Sequence, residues 1–322
     1  MAGPIIGVDL GGTKILTALV DEGGRVLGRA RIPTPASGPD TDIEAIVQSV
    51  RTVVARSGVD LRAVAGMGVG APGPLDPATG VVFEPPNLPG WKDVPLAERL
   101  ADRLGLRIYV ENDANAAALG ERWVGAGAGV DDLVYITVST GVGGGLIVRG
   151  QLYHGVSGTA GEVGHMVIDP RGPRCHCGRT GCLEQLASGT AIAREARAAL
   201  AAGRPSVLAH LPAGELSAED VARAARDGDP LAREVFAHAA AALGTGVANL
   251  VNLLNPAMVV IGGGVARAGD LLLAPVRRIV QEEAFDRPAA AVRIVPAALG
   301  DDVGAVGAAA VVRERQAVQP AK

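Results

Sequence analysis

This chain has no excess of positive charge. Its 322 residues carry 30 Lys and Arg against 34 Asp and Glu, giving a formal net charge of −4 and a pI near 5.8. That balance excludes the basic field that grips nucleic acid or an anionic membrane. Lysine is scarce: Lys14, Lys92 and Lys322 are the three lysines among those 30 basic residues. The skew follows either from genomic base composition or from the readier bidentate pairing of arginine, which heat stability would favour. Only three cysteines occur, an odd number, and Cys175, Cys177 and Cys182 lie within eight residues, which argues against a disulfide framework and for a metal knuckle.

Other signals are missing too. The first residues carry no charged leader and reach Asp9 too early for a secretory apolar core. The most apolar long stretch, Ala237–Leu254, contains Thr245, Asn249 and Asn252 and reads as a buried helix rather than a membrane span. A cytoplasmic, soluble protein is expected. No Gly-Lys pair exists, which excludes a Walker-type phosphate loop. Leu146 and Arg267 stand where the third glycine of a dinucleotide fingerprint would fall.

What is present is an ordinary globular composition, 48% hydrophobic and 20% charged, over a length that exceeds one hydrophobic core. Short apolar runs at Ile5–Asp9, Ile15–Val20 and Val26–Ile32 predict strands joined by glycine turns. Residues Asp40 to Ser57 have helical spacing, with Ile43, Ile46, Val47, Val50, Val53 and Val54 on one face. After a strand at Val64–Val69 comes a Pro- and Gly-rich loop from Ala71 to Trp91, long enough to suggest a functional role. A helix near Val94–Leu104 and a strand at Arg107–Val110 lead into Glu111-Asn112-Asp113-Ala114-Asn115 and an alanine-rich helix.

The pattern then restarts. A strand at Leu133–Val138, a glycine-rich turn at Ser139–Gly145 and a strand at Leu146–Val148 resemble the opening hairpin, a duplication of architecture. Further on, Asp229-Pro230 opens a helix running toward Leu254. Met258–Ile261 is a strand entering Gly262-Gly263-Gly264, Val292–Val295 the last strand, Val303–Arg313 a closing helix and Gln316–Lys322 a frayed tail. Two α/β domains around a cleft are expected, residues 1–112 and 113–301, with helix 302–315 joining the first and a zinc knuckle at 165–184 in the second.

Several groups carry chemistry. In the turn from Asp9 to Lys14, Gly11 and Gly12 allow close approach of backbone N–H groups to phosphate. Thr13 adds a hydroxyl, and Asp9 can face magnesium; the same residues also suit a plain hairpin turn. Thr140, Gly141, Gly143 and Gly144 repeat the arrangement, and Gly262, Gly263 and Gly264 add a third glycine turn. Three such turns after strands fit an actin-like (ribonuclease-H-like) ATPase fold. Asp113 stands where a strand gives way to a helix. It serves either as the helix cap or, with Asn112 capping, as a carboxylate that accepts a hydroxyl proton. Asn87, Asn112, Glu162, His165 and Glu184 are turn and surface polar residues taken singly; together they could ring a sugar, whose hydroxyls each donate and accept. Trp91 fits either a sugar face or the core of its loop. His165, Cys175, Cys177 and Cys182 make a closed tetrahedral zinc set, with His176 an alternative to His165 and buried free thiols the alternative to a metal.

Together these segments resemble the ROK family of repressors, open reading frames and kinases, and most of all its bacterial glucokinases. The likeness runs from Asp9 to about Gly264. Cys175-His176-Cys177-Gly178-Arg179-Thr180-Gly181-Cys182-Leu183-Glu184 matches the family's CxCGxxGCxE signature. Gly161-Glu162-Val163-Gly164-His165, Glu111–Asn115 and Pro86–Trp91 match its zinc-histidine, catalytic and sugar-loop segments. The resemblance implies transfer from ATP with Mg2+ to the 6-hydroxyl of glucose, with Asp113 as base. Asn87, Asn112, Glu162, His165 and Glu184 would bind sugar, the three glycine turns ATP, and a structural Zn2+ would brace Glu184. It also leaves open N-acetylglucosamine, N-acetylmannosamine, fructose or allose as acceptor and polyphosphate as donor. A homodimer or homotetramer is implied. The family's sugar-responsive regulators carry a helix-turn-helix domain before the first phosphate turn, and Asp9 leaves no room for one here.

Overall fold

The computed structural model describes residues 3–212 and 214–318. By close packing the chain divides into two units. Met1–Asp131, Gly145–Ala160 and Ala298–Lys322 form the first, and Asp132–Gly144 with Gly161–Ala297 the second.

The first unit begins with strands β1 (Ile5–Leu10), β2 (Lys14–Val20) and β3 (Val26–Pro33) and helix α1 (Pro39–Ser57). Then come β4 (Gly66–Ala71), the short strands β5 (Leu75–Asp76), β6 (Val81–Val82) and β7 (Val94–Pro95), helix α2 (Leu96–Leu104), β8 (Ile108–Asn112) and α3 (Asp113–Val124). Its main sheet has the order β3-β2-β1-β4-β8, antiparallel in the opening hairpin and parallel from β1 through β4 to β8. Alternation along the strands supplies two apolar faces. Ile6, Val8, Leu10, Ile15 and Leu19 are buried in one core with Ile43, Ile46, Val47, Val50 and Val53 of α1. Each such side chain contributes about 1.5–3 kcal/mol through burial. The expected loop from Ala71 to Trp91 is not structureless, since β5 and β6 pair with each other and with β7.

In the second unit and the returns to the first, the chain forms β9 (Leu133–Val138), β10 (Val142–Val148), β11 (Gln151–Leu152), α4 (Glu184–Ala187), α5 (Gly189–Ala201), α6 (Ala218–Arg226) and α7 (Pro230–Leu254). It ends with β12 (Met258–Gly262), α8 (Asp270–Glu283), α9 (Asp286–Ala291), β13 (Arg293–Pro296) and α10 (Val303–Val318). The second sheet has the order β11-β10-β9-β12-β13, with β9, β12 and β13 parallel. A hairpin beside a parallel strand thus occurs twice, as the restarted sequence pattern predicts. The chain leaves the second unit within β10, between Gly144 and Gly145.

Helix α7 is the one described helix long and apolar enough to cross a membrane. It lies in the core of the second unit, where Gly244 meets Ile279 of α8 so closely that a Cβ would sit 2.8 Å from it. Asp229 caps α7 by accepting the Ala232 N–H at 2.8 Å, as its sequence implies.

Three expectations shift. Helix α3 packs in the first unit rather than opening the second, because Gly120 and Gly307 let α3 and α10 touch backbone to backbone. Helix α10 in turn lies directly on the first sheet. Gly7 and Gly68 present no side chain to it, and a Cβ on either would sit 1.8 Å from the carbonyl oxygen of Ala305 or Ala308. Anchored this way, α10 continues through Val318, beyond the expected start of a tail at Gln316; residues 319–322 lie outside the described part. Finally, the turn expected over Ser139–Gly145 ends at Gly141, and Gly143 to Gly145 are strand residues of β10.

Candidate active site

In the first unit, three parallel strands end at one edge of the sheet. Asp9 of β1 is level with Gly70 of β4, and Gly70 with Glu111 of β8. At about 4.8 Å per strand, the Cα atoms of Asp9 and Glu111 lie about 10 Å apart. The Asp9–Lys14 turn and the Asn112-Asp113 junction therefore open on the same carboxyl-terminal edge, where α/β proteins collect ligands. The turn is closed by the Gly11 N–H donating to the Lys14 carbonyl at 2.9 Å. Burial pushes the Asp9 carboxyl above the usual range, and Lys14 offsets this in part.

Asn112 is the cap of α3. Its Oδ1 accepts the N–H groups of Ala114 at 3.0 Å and Asn115 at 3.2 Å. Asp113 is the first helical residue and is exposed, with Oδ1 accepting the Ala114 N–H at 2.8 Å. The ambiguity over which residue caps is thereby resolved to Asn112.

Asn87 is exposed on a loop held by its neighbours. Trp91 is 2% exposed, so its ring is loop core, and its indole N–H donates to Asp42 of α1 at 2.9 Å. Asp42 also accepts the Ala36 N–H at 2.9 Å. The loop presses on the first glycine turn: a Cβ on Gly12 would lie 2.5 Å from the Asn87 carbonyl oxygen. Asp42 escaped the sequence reading because its partner is 49 residues away and no local pattern links them.

In the second unit, Ser139, Thr140, Gly264 and Val265 line a cavity of about 630 Å³, together with Gly189 and Thr190 at the start of α5. Two of the expected nucleotide turns thus share one chamber. The start of α5 is tied to the first of them, with the Gly189 N–H donating to the Ser139 carbonyl at 2.7 Å and the Thr190 hydroxyl to the Thr140 carbonyl at 2.8 Å. Sequence reasoning missed this helix start, although Ser188 before an alanine-rich run is a cap signal; Ser188 Oγ accepts the Ala191 N–H at 3.1 Å. Helix N–H groups there favour an anion. Gly143 and Gly144 lie farther along β10, and Gly144 is buried, where a Cβ would sit 2.7 Å from Val163. Close packing accounts for that glycine.

Gly263 has φ +88°, and a Cβ there would lie 2.3 Å from the Val138 carbonyl oxygen. Gly263→Ala is expected to cost about 2 kcal/mol or more of stability. It should also raise the KM for the nucleotide several-fold, because the turn borders the cavity. A thermal melt and a nucleotide titration check both.

His165, Cys175, Cys177 and Cys182 bring their ligand atoms within 4.8 Å of one another. Cys177 and Cys182 sulfurs are 3.6 Å apart, and the Cys175 sulfur is 3.7 Å from His165 Nδ1. Zn–S bonds of about 2.3 Å in a tetrahedron place sulfurs about 3.8 Å apart, so the donor set fits zinc. The Arg179 backbone N–H lowers the Cys177 thiol to about 6, while burial and the neighbouring sulfurs push Cys182 up to about 12. A cation is what would let all three ionise together. His176 Nδ1 lies 3.9 Å from the Cys175 sulfur but belongs to a second grouping with Cys175 and Glu184, which leaves His165 as the fourth member of the tetrahedral set.

From the cluster the contacts run outward. His165 Nε2 is 3.9 Å from Glu162, on the far side of the ring from Cys175. Glu184 starts α4, lies 3.5 Å from His176, and accepts the Val142 N–H at 3.1 Å. So Glu162, His165 and Glu184 gather around the knuckle, while Asn87, Asn112 and Asp113 gather at the sheet edge of the first unit.

The twice-used hairpin-and-parallel-strand unit, with glycine turns at its carboxyl ends, is the actin-like ATPase fold. The ROK family model matches residues 5–315, and the chain belongs to the ROK family. It is 41% identical to a glucokinase of Halalkalibacterium halodurans over 97% of this chain and 95% of that one. A ROK hexokinase structure from Thermus thermophilus is 37% identical with a TM-score of 0.81, covering 98% of this chain and 99% of that one. A ROK family glucokinase from Streptomyces griseus, solved in complex with glucose and AMPPNP, is 38% identical with a TM-score of 0.83, covering 97% and 100%.

Proposed function

We propose that this protein is a glucokinase that transfers the terminal phosphoryl group of ATP to the 6-hydroxyl of glucose. The observation that carries the reading is the placement of the Asp9–Lys14 turn and Asp113 at one sheet edge, in a chain about 40% identical to glucokinases along nearly its whole length. Asp113 accepts the proton of the sugar O6 hydroxyl as the O6–P bond forms and the bond from the terminal phosphorus to the ADP oxygen breaks. The proton then passes to water. Phosphoryl transfer has a loose transition state, so the main task of Asp113 is to aim the attacking oxygen. Asn87, Asn112, Glu162, His165 and Glu184 bind the remaining sugar hydroxyls. The turns at Asp9–Lys14, Thr140–Gly144 and Gly262–Gly264 hold the nucleotide, with adenosine in the cavity beside Thr190 and Gly264. Magnesium, held with the phosphates near Asp9, would neutralise the charge that develops on them.

His165, Cys175, Cys177 and Cys182 would hold a structural zinc, whose task would be to brace the loop that bears Glu184. His165 presents Nδ1 to the cysteine cluster and Nε2 to Glu162, so the same ring would serve metal and sugar from its two sides. Coupled assays over a panel of hexoses test the reading. Glucose with ATP is expected to give the highest kcat/KM. A clear preference for N-acetylmannosamine, N-acetylglucosamine, fructose or allose, or for polyphosphate as donor, would overturn the assignment of substrate.

A further inference from the structure

Glu111 is a carboxylate buried two residues before Asp113, with a side chain 2% exposed. A buried charge persists only where it is paired and hydrogen-bonded. Glu111 Oε1 accepts the Asn112 N–H at 3.1 Å and the Asn115 side-chain amide at 3.1 Å. It therefore holds the residue before Asp113 and a residue in the first turn after it. Asn115 Oδ1 is buried without a hydrogen-bond partner in the described structure, so the orientation of that amide depends on Glu111.

The other oxygen of Glu111 faces two basic groups from distant parts of the chain. His154 Nε2 lies 2.8 Å from Oε2, and an Arg315 nitrogen of α10 lies 3.7 Å away. Arg315 also donates to the Pro77 carbonyl at 3.2 Å, so its hold on Glu111 is shared. His154 is the close partner. It lies just beyond β11, and its carbonyl accepts the Ala160 N–H at 3.0 Å, closing the loop that runs on into Gly161 and Glu162.

We propose that His154 and Glu111 form a positioning pair for the catalytic carboxylate: His154 fixes the Glu111 side chain, and Glu111 fixes the strand-to-helix junction from which Asp113 projects. Neither touches the reacting atoms. The pair fixes the direction of attack, to which phosphoryl transfer is most sensitive. This inference rests on the kinase reading above.

The test compares His154→Leu, which removes the hydrogen bond, with His154→Gln, whose amide can still donate to Glu111. Each is measured for kcat, KM, hexose dissociation constant and melting temperature, using the best hexose of the panel. His154→Leu is expected to lower kcat by about tenfold to a hundredfold, with the hexose dissociation constant within about threefold of wild type. His154→Gln should recover kcat to within about threefold of wild type. An unchanged kcat in His154→Leu overturns the proposal. So does a rise in KM alone, or an equal loss of kcat in both variants. If the wild type phosphorylates no hexose, the kinase reading falls and this inference with it; an active wild type with an undiminished His154→Leu removes only the positioning role.

Discussion

Asp113→Asn is expected to leave hexose binding close to wild type while kcat falls by about 10²–10⁴-fold, the range attributed to a positioned general base. The substitution preserves size and an oxygen that can accept the Ala114 N–H, the contact Asp113 makes at 2.8 Å. The helix start should survive in any case, because Asn112 caps α3 with two hydrogen bonds of its own. On the proposed mechanism, the substitution removes the capacity to take up a proton and the negative charge that would orient the hydroxyl. Glucose binding by calorimetry and turnover by coupled assay separate the two effects. A variant with near wild-type kcat would remove Asp113 from the mechanism, and one that no longer binds sugar would make it a binding residue instead.

The second large effect concerns the knuckle. Wild-type protein prepared without chelators is expected to contain about one zinc per chain, the stoichiometry of a single four-ligand set. Cys182→Ser should contain almost none and melt about 10 °C lower or more. The reason lies in the packing. Cys175 and Cys182 are buried, and the segment around them has little regular structure, so the metal would supply the cohesion that an apolar core supplies elsewhere. Sugar affinity should fall with the metal, since His165 contacts the cysteines on one side of its ring and Glu162 on the other. Elemental analysis and melting curves decide the matter. Metal-free wild type, or a serine variant with unchanged melting temperature, would sink the structural-zinc reading.

Much of this was legible in the linear order of residues, and what was legible was local. The hairpins, α1 and α7 follow from apolar spacing and nearby glycine, proline and aspartate. The cysteine cluster follows from spacing within eight residues. The Asn112-Asp113 pair could be named as cap and base, though not assigned between those roles. The family likeness carried the function further than any of these patterns could alone.

The sequence by itself determined the element order, the glycine turns, the donor set for a metal and the acidic residue at a strand end. Only the tertiary structure decided that α3 and α10 pack together in the first unit, that Thr190 borders the cavity, and that Glu111 meets His154 and Arg315. Local patterns record what a residue does to its neighbours along the chain. The contacts of Asp42 with Trp91 and of Glu111 with His154 span 49 and 43 residues, and folding alone brings those groups within hydrogen-bond reach.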